Sequence, residues 1–275
     1  MIKLIVCDLD HTLLNDDKKI TQRMKSIAST LINQGIHITI ATGRAYEIAK
    51  PYADDLAITQ PMITNNGALI KDTKTNRILR ANYLNHDPID QVMDYVLNHN
   101  LGFTYYTESG FVTNDKERMV FYKDWNAMYE DSPITILKPK TKEDLLQYKP
   151  YKLLVVNHNK QGFHSMYNLF KDLKDTHVTK SQEAFLDFLP PNTNKGEAVN
   201  HLMNELNLSP DEILVFGDND NDIEMLKLTK NSVAMPDGSE GSLRAAHLIA
   251  EADSNNDGVA KTLEKMQRDG SFETQ

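Results

Sequence analysis

Two carboxylates stand two residues apart where an apolar run ends: Leu4-Ile5-Val6-Cys7 leads into Asp8-Leu9-Asp10-His11-Thr12. On an extended chain such residues share one side. Two carboxylates that close repel unless a proton or a cation intervenes. A hard divalent cation such as Mg2+ resolves the conflict and leaves Asp8 ionised, as a nucleophile must be. An Asp-x-Asp alone is better explained as a turn of solvated acids. The apolar strand before it and Thr12-Leu13-Leu14 after it make the nucleophile reading more specific.

Three other segments carry chemistry that would complete a site. Thr42-Gly43 follows the apolar stretch Ile36–Ala41 and precedes a helix start. A hydroxyl and free N–H groups there would bind an anion, or Thr42 would simply cap the helix. Lys195 opens a helix after Asn192-Thr193-Asn194, where a cation opposes the macrodipole. Such a local misfit hints at function; the ammonium would neutralise phosphate and keep Asp8 ionised. Gly217-Asp218-Asn219-Asp220-Asn221-Asp222 follows another apolar run and offers several oxygen ligands. An EF-hand-like calcium loop would need glutamate at its twelfth position, which counted from Asp218 is Thr229. A solvated acidic turn is the remaining reading of that run.

The elements that must position these groups follow from periodicity. Leu4–Cys7 reads as a buried strand, followed by a helix with Thr21 as N-cap, Met24, Ile27, Ala28, Leu31 and Ile32 as its apolar stripe, and Gly35 as its end. Ile36–Ala41, a helix from about Ala45 and Met62–Thr64 continue the β/α alternation of a doubly wound parallel sheet. In such a sheet, ligands bind beyond the carboxyl ends of the strands, where the polar segments fall. The texture then changes. Ala68–Ile70 and Arg77–Arg80 read as a hairpin, and a helix follows with Asp87 as N-cap and Pro88 in its first turn. Strands at Phe103–Tyr106, Phe111–Thr113, Tyr151–Val156, His177–Lys180 and Ala184–Leu189, with a helix at Phe163–Leu173, form an inserted α+β unit. After Pro190-Pro191 the first pattern resumes: helix Lys195–Leu206, strand Ile213–Phe216, helix Asp222–Leu226, strand Ser232–Ala234, helix Ser242–Ala246 and strand His247–Ile249, with a frayed polar tail after about Gln267.

Bulk properties set the class. The 275 residues suffice for two ordinary domains, and 40% hydrophobic with 25% charged residues is a globular balance. A net charge of -9 argues against a general nucleic-acid binder. Cys7 is the lone cysteine, so no internal disulfide or thiolate cluster is expected, in keeping with a cytoplasmic protein. Its place in an apolar strand makes it a core residue rather than a redox group. No run of ~18 apolar residues is present, so no membrane span is expected.

The four polar segments, in this order, resemble the haloacid dehalogenase superfamily of phosphohydrolases. The motifs are Asp8-Leu9-Asp10-His11-Thr12, Ala41-Thr42-Gly43-Arg44, Asn194-Lys195-Gly196 and Gly217-Asp218-Asn219-Asp220-Asn221-Asp222. Asn65-Asn66-Gly67-Ala68 and Ser254-Asn255-Asn256-Asp257-Gly258-Val259 support them. The middle insertion is similar to that of the Cof-like branch, and the resemblance spans essentially the whole chain. It implies an α/β fold: a doubly wound, Rossmann-like core of residues 1–82 and 190–275 with an inserted α+β (type IIB) cap of residues 83–189. It implies a magnesium-dependent phosphatase acting on small phosphorylated metabolites, sugar phosphates or similar monoesters, through an aspartyl-phosphate.

The resemblance also assigns roles. Asp8 attacks phosphorus; Asp10 protonates the leaving alcohol and then activates water. Asp8, the backbone carbonyl of Asp10 and the Asp218 carboxylate bind Mg2+. The Leu9 N–H, Thr42, Gly43, Lys195 and Asn221 hold the phosphoryl group, and Asp222 positions Lys195 or a metal-bound water. Tyr105, Tyr106 and Glu108 are candidates for touching the leaving group. His11 stands where the family usually has glycine, and Asn219 where a small residue is common. The expected partner is a small phosphorylated molecule, with no nucleic acid and no membrane, and the expected state is a monomer or weak homodimer. A phosphomutase shares the expected core and cap, and a phospho-accepting receiver or an inert regulatory protein shares the fold. An acid two residues past the nucleophile and a ~100-residue insertion distinguish the chain from a receiver.

Overall fold

In the computed structural model, which describes residues 1–272, strand β1 (Leu4–Cys7) is completely buried along its length. Helix α1 (Gln22–Asn33) follows. Its N-cap Thr21 accepts the Met24 N–H, and Met24, Ile27, Ala28 and Leu31 form its buried stripe. Then come β2 (His37–Ile40), α2 (Tyr46–Asp55), β3 (Met62–Thr64), β4 (Leu69–Lys71) and β5 (Ile78–Ala81). The middle of the chain forms α3 (His86–Asn98), β6 (Gly102–Thr107), β7 (Gly110–Thr113), α4 (Lys116–Met128), α5 (Lys142–Leu146), β8 (Pro150–Val156), α6 (Lys160–Phe170), β9 (His177–Gln182) and β10 (Phe185–Leu189). The chain closes with α7 (Lys195–Glu205), β11 (Ile213–Gly217), α8 (Ile223–Leu226), β12 (Ser232–Ala234), α9 (Glu240–Ala245), β13 (Leu248–Ile249) and α10 (Gly258–Arg268).

The chain divides into two units: residues 1–80 with those from 194 onward, and residues 81–193. The first holds a five-stranded parallel sheet in the order β13-β12-β11-β1-β2. Strands that are apolar on both faces need cover on both. On one face Leu4, Val6, Ile213 and Val215 pack with Ala198, Val199, Leu202 and Met203 of α7. Ile5 and Cys7 alternate to the other face and are equally buried. Cys7 is thus a core residue, and burial pushes its thiol above the usual range. The second unit holds an antiparallel sheet, β7-β6-β8-β10-β9. Ile89, Val92, Met93 and Val96 of α3, with Phe163, Met166 and Phe170 of α6, cover Phe103, Tyr105, Leu153, Val155, Leu186 and Phe188.

Several expectations need correction. Met62–Thr64 does not extend the parallel sheet as a full strand. It turns back at residues 65–67 and pairs antiparallel with β4 in a sheet β3-β4-β5, and one parallel bridge, Ala41 to Ile63, ties it to the end of β2. The α3 N-cap is Asn85, and Asp87 instead lies in the first turn, where a carboxylate suits the helix dipole. Helices α4 and α5 carry weak sequence signals, and α10, which is clearly amphipathic, was not anticipated. α5 has five residues and stands on a capping box between Thr141 and Asp144. The tail expected to fray past Gln267 returns Phe272 to burial, and residues 273–275 lie outside those described. Among the described residues, no helix is long and apolar enough to cross a membrane.

Because β1 is paired on both sides, with β11 and β2, Ile5→Ala should leave a cavity that its neighbours cannot close. A loss of about 3 kcal/mol is expected, measured by urea denaturation; a loss below about 1 kcal/mol would contradict the packing.

Candidate active site

Parallel register brings the polar segments to one edge. Cys7 is level with Ile40 on one side and Phe216 on the other. The residues that follow each strand therefore emerge together: Asp8, Ala41-Thr42 and Gly217-Asp218. Backbone bonds fix the edge, with the Asp8 N–H donating to Phe216 O (3.0 Å), the Ala41 N–H to Cys7 O (2.9 Å) and the Thr42 N–H to Ile63 O (2.9 Å).

Lys195 enters this edge from the first turn of α7, whose N-cap Asn194 accepts the Glu197 N–H. The lysine is fully buried, and its Nζ donates to Asp8 Oδ1 and to Asp222 Oδ1, each at 2.6 Å. The unfavourable dipole position is thereby offset by two carboxylates. Asp222 has no exposed surface; its second oxygen accepts the N–H groups of Asp218 (3.0 Å) and Asn219 (3.1 Å). Thr12 donates its hydroxyl to Asp218 Oδ1 (3.0 Å), and the Asp218 carbonyl accepts from Ser242 Oγ (2.7 Å) and the Ser239 N–H (2.7 Å). Each acid is held in one orientation by its neighbours.

The charge is unbalanced. Asp8, Asp218 and Asp222 offer carboxylate oxygens within 4.8 Å of one another, against the single ammonium of Lys195. Burial raises Asp8 well above the usual carboxylate range, the Lys195 charge offsets this only in part, and Asp222 and Asp218 raise it further. Burial and then the Asp222 charge push Asp218 up to about 6, against the pull of the Thr12 hydroxyl, Lys195 and His11. Lys195 is raised in turn, because the two acids outweigh its own burial. An all-oxygen, carboxylate-rich set short of positive charge is the donor chemistry a hard divalent cation requires. Asp222, expected to support the site, belongs to this carboxylate group.

Asp10 faces elsewhere. Its two oxygens accept from Arg44 Nε and Nη2, both at 2.7 Å, and Oδ1 also meets Lys18 Nζ at 3.2 Å. Burial pushes Asp10 up, but the Arg44 bonds and charge, with Lys18, more than offset it and hold it at about 2. Arg44 is steadied by Tyr52, whose hydroxyl accepts from Nη1 (3.2 Å) and whose ring lies under the guanidinium. The sequence placed Arg44 in a motif without a role; a cation directly after Thr42-Gly43 was the available signal.

The expected phosphate-holding residues line the same edge. Thr42 is buried and accepts the Arg44 N–H (3.2 Å), while the α2 N-cap is Ala45, so Thr42 does not serve as that cap. Leu9 is fully buried, with its carbonyl turned to the N–H groups of Thr12 and Leu14. Gly43 lies under Asn66, and exposed Asn221 donates Nδ2 to Asn66 Oδ1 (3.0 Å). His11 is exposed and in the left-handed region (φ 59°), which accounts for the glycine usual at that position. Tyr105 and Tyr106 are buried within the second unit, with Tyr105 in its apolar core.

Comparison with known proteins identifies the family and the fold. The sequence model of the haloacid dehalogenase-like hydrolases matches residues 5–263. A Mycoplasma genitalium protein with a provisional phosphatase name is 26% identical over 96% of this chain and 98% of its own length. The Bacillus subtilis 5-amino-6-(5-phospho-D-ribitylamino)uracil phosphatase YwtE is 24% identical, covering 96% of this chain and 98% of that one. A crystal structure of a haloacid dehalogenase-like hydrolase from Bacteroides thetaiotaomicron shares the fold, with a TM-score of 0.83 at 23% identity over 97% of this chain and 100% of that one.

Two outcomes follow from the geometry. Asp10 sits below its unfolded value of 3.8, so its ionised form stabilises the fold at neutral pH. That contribution fades as pH falls from about 4 to about 2. In Arg44→Ala burial becomes the larger influence, so the Asp10 carboxyl should titrate well above about 2, toward the ordinary range; a 13C titration that leaves it near 2 would contradict the pairing. His11→Gly should raise stability by up to about 1 kcal/mol, where glycine elsewhere costs about 0.5–1 kcal/mol, as read by urea denaturation.

Proposed function

The chain belongs to the haloacid dehalogenase-like hydrolase family, and from that premise we propose that it is a magnesium-dependent phosphatase hydrolysing small phosphorylated metabolites, sugar phosphates or similar monoesters, through an aspartyl-phosphate. One observation carries the reading most: the buried Lys195 ammonium held between Asp8 and Asp222 at the end of β1. A carboxylate at a strand end with a fixed cation on one oxygen is an oriented nucleophile, and phosphoryl transfer depends mainly on such positioning and charge neutralisation.

In the proposed reaction an Asp8 oxygen bonds to phosphorus as the bond from phosphorus to the leaving oxygen breaks. The leaving oxygen takes a proton from Asp10. Water then attacks the aspartyl-phosphate, Asp10 accepts its proton, and Asp8 and inorganic phosphate are released. Lys195 fixes the orientation of Asp8 and neutralises charge, and the Leu9 N–H, Thr42, Gly43 and Asn221 hold the phosphoryl oxygens. Arg44 keeps Asp10 ionised in the free protein, the form that takes a proton from water. An incoming phosphate dianion would favour the protonated form needed first. Asp8, the Asp10 carbonyl and Asp218 would hold Mg2+, with Asp222 beside them, and the metal when bound would supply further charge neutralisation. Residues 81–193 are assigned the selection of the leaving group. The YwtE name, a phosphatase of a ribityl phosphate, supports a small phosphomonoester as substrate, and the lone buried cysteine suits a cytoplasmic site of action.

Aryl phosphate turnover should require Mg2+ and stop with a chelator. Asp8→Asn should abolish it, and Asp10→Asn should lower it by ~10²-fold or more. Wild-type rates in Asp10→Asn would overturn its acid–base role, and no phosphate release from a panel of phosphorylated metabolites would overturn the reading as a whole.

A further inference from the structure

The chain passes from β3 to β4 through Asn65, Asn66 and Gly67, and all three are left-handed, with φ of 51°, 55° and 96°. A run of positive φ is costly for residues other than glycine, and such strain persists where the surroundings over-determine it. Here they do. The Asn65 N–H donates to Arg44 O (2.9 Å) and the Asn66 N–H to Thr42 O (3.0 Å), so the turn is bonded to the strand-end loop of the site. A β-carbon on Gly67 would lie 2.3 Å from the Asn194 carbonyl oxygen, so the turn also abuts the residue before Lys195. Asn65 is fully buried, and neither polar atom of its carboxamide has a partner among the described residues. An asparagine kept in that position at such a cost marks a turn whose backbone shape is needed.

The Asn66 side chain connects two parts of the site. Its Oδ1 accepts from Asn221 Nδ2 at 3.0 Å. The same oxygen would lie 2.9 Å from a β-carbon on Gly43, so it packs directly over that residue. We propose that Asn66 is a positioning residue for the phosphoryl pocket, setting the distance between the Thr42-Gly43 loop and Asn221 and fixing which end of the Asn221 carboxamide faces the phosphate. The inference rests on the reading of Thr42, Gly43 and Asn221 as phosphate-holding groups. A carboxamide presents a donor at one end and an acceptor at the other. Phosphate oxygens need donors. With one Nδ2 hydrogen committed to the Asn66 carbonyl, the second remains for the phosphate and the Asn221 carbonyl is turned away. Without Asn66 the amide can flip and present its oxygen, which repels the anion.

Calorimetric titration of the full chain with inorganic phosphate in the presence of Mg2+ tests this without depending on turnover. Asn66→Gly keeps the left-handed backbone accessible and removes the side chain. Asn66→Asp keeps an acceptor that can only accept. Phosphate affinity should fall about tenfold in Asn66→Gly, the effect of one misplaced hydrogen bond to a charged group. In a double-mutant cycle Asn221→Ala should add little to Asn66→Gly, yet keep most of its effect in Asn66→Asp, because residues acting through one another are not additive. Additive losses in Asn66→Gly, or unchanged phosphate affinity in it, would overturn the proposal. Should Asn66→Gly fail to fold, loss of the Asn221→Ala effect in Asn66→Asp would overturn it equally. A wild type that binds phosphate but releases none from esters would count against the phosphatase reading alone, and the cycle would still decide the role of Asn66.

Discussion

The site is organised by one buried ammonium. Lys195 lies without solvent exposure between Asp8 and Asp222, 2.6 Å from each. Removing one partner from a buried pair leaves an uncompensated charge and costs about 3–5 kcal/mol, so the three residues hold one another. Lys195 opens α7, whose apolar stripe packs on Leu4, Val6, Ile213 and Val215. The helix is therefore fixed relative to β1 and β11, and the ammonium meets the carboxylates that follow those strands. A shift of the helix by one residue would withdraw the cation and expose the misfit of its dipole.

The same constraint separates the two acids of the first motif. Asp8 turns inward to Lys195 and a carboxylate-rich cluster where burial raises proton affinity. Asp10 turns outward to Arg44 and Lys18, which hold it at about 2. Opposite environments on residues two apart give one group the character of a fixed anion among buried charges and the other that of a partly exposed, paired carboxylate. Divergent environments of this kind assign different chemistry to identical side chains.

Much of this was legible in the sequence because it is local. The apolar tetrapeptide before Asp8, the Thr21 cap and stripe of α1, and the strand ending at Gly217 are set by neighbours within one turn or one strand. The short β3 was misplaced because nothing in Met62–Thr64 reveals its partner; the left-handed turn that follows sends it into a hairpin. α5 was missed because a capping box, more than periodicity, holds its five residues; α10 was not anticipated although its buried residues recur on one face. Arg44 was seen without a role because its partner, Asp10, is 34 residues away.

The sequence by itself determined which groups could react: carboxylates two apart, a hydroxyl and a glycine at a strand end, a lysine at an unfavourable helix position, and an acidic run after a buried strand. It showed His11 where glycine is usual, and the structure supplied the reason: a left-handed backbone, the conformation glycine adopts freely. Only the tertiary structure decided who faces whom. Lys195 and Asp8 are 187 residues apart, Thr12 and Asp218 are 206 apart, and Asn66 and Asn221 are 155 apart. Those pairings come from parallel register and helix packing, which close long loops that no local preference encodes. The first motif supplied two equivalent acids, and the fold made them different by placing a lysine on one and an arginine on the other.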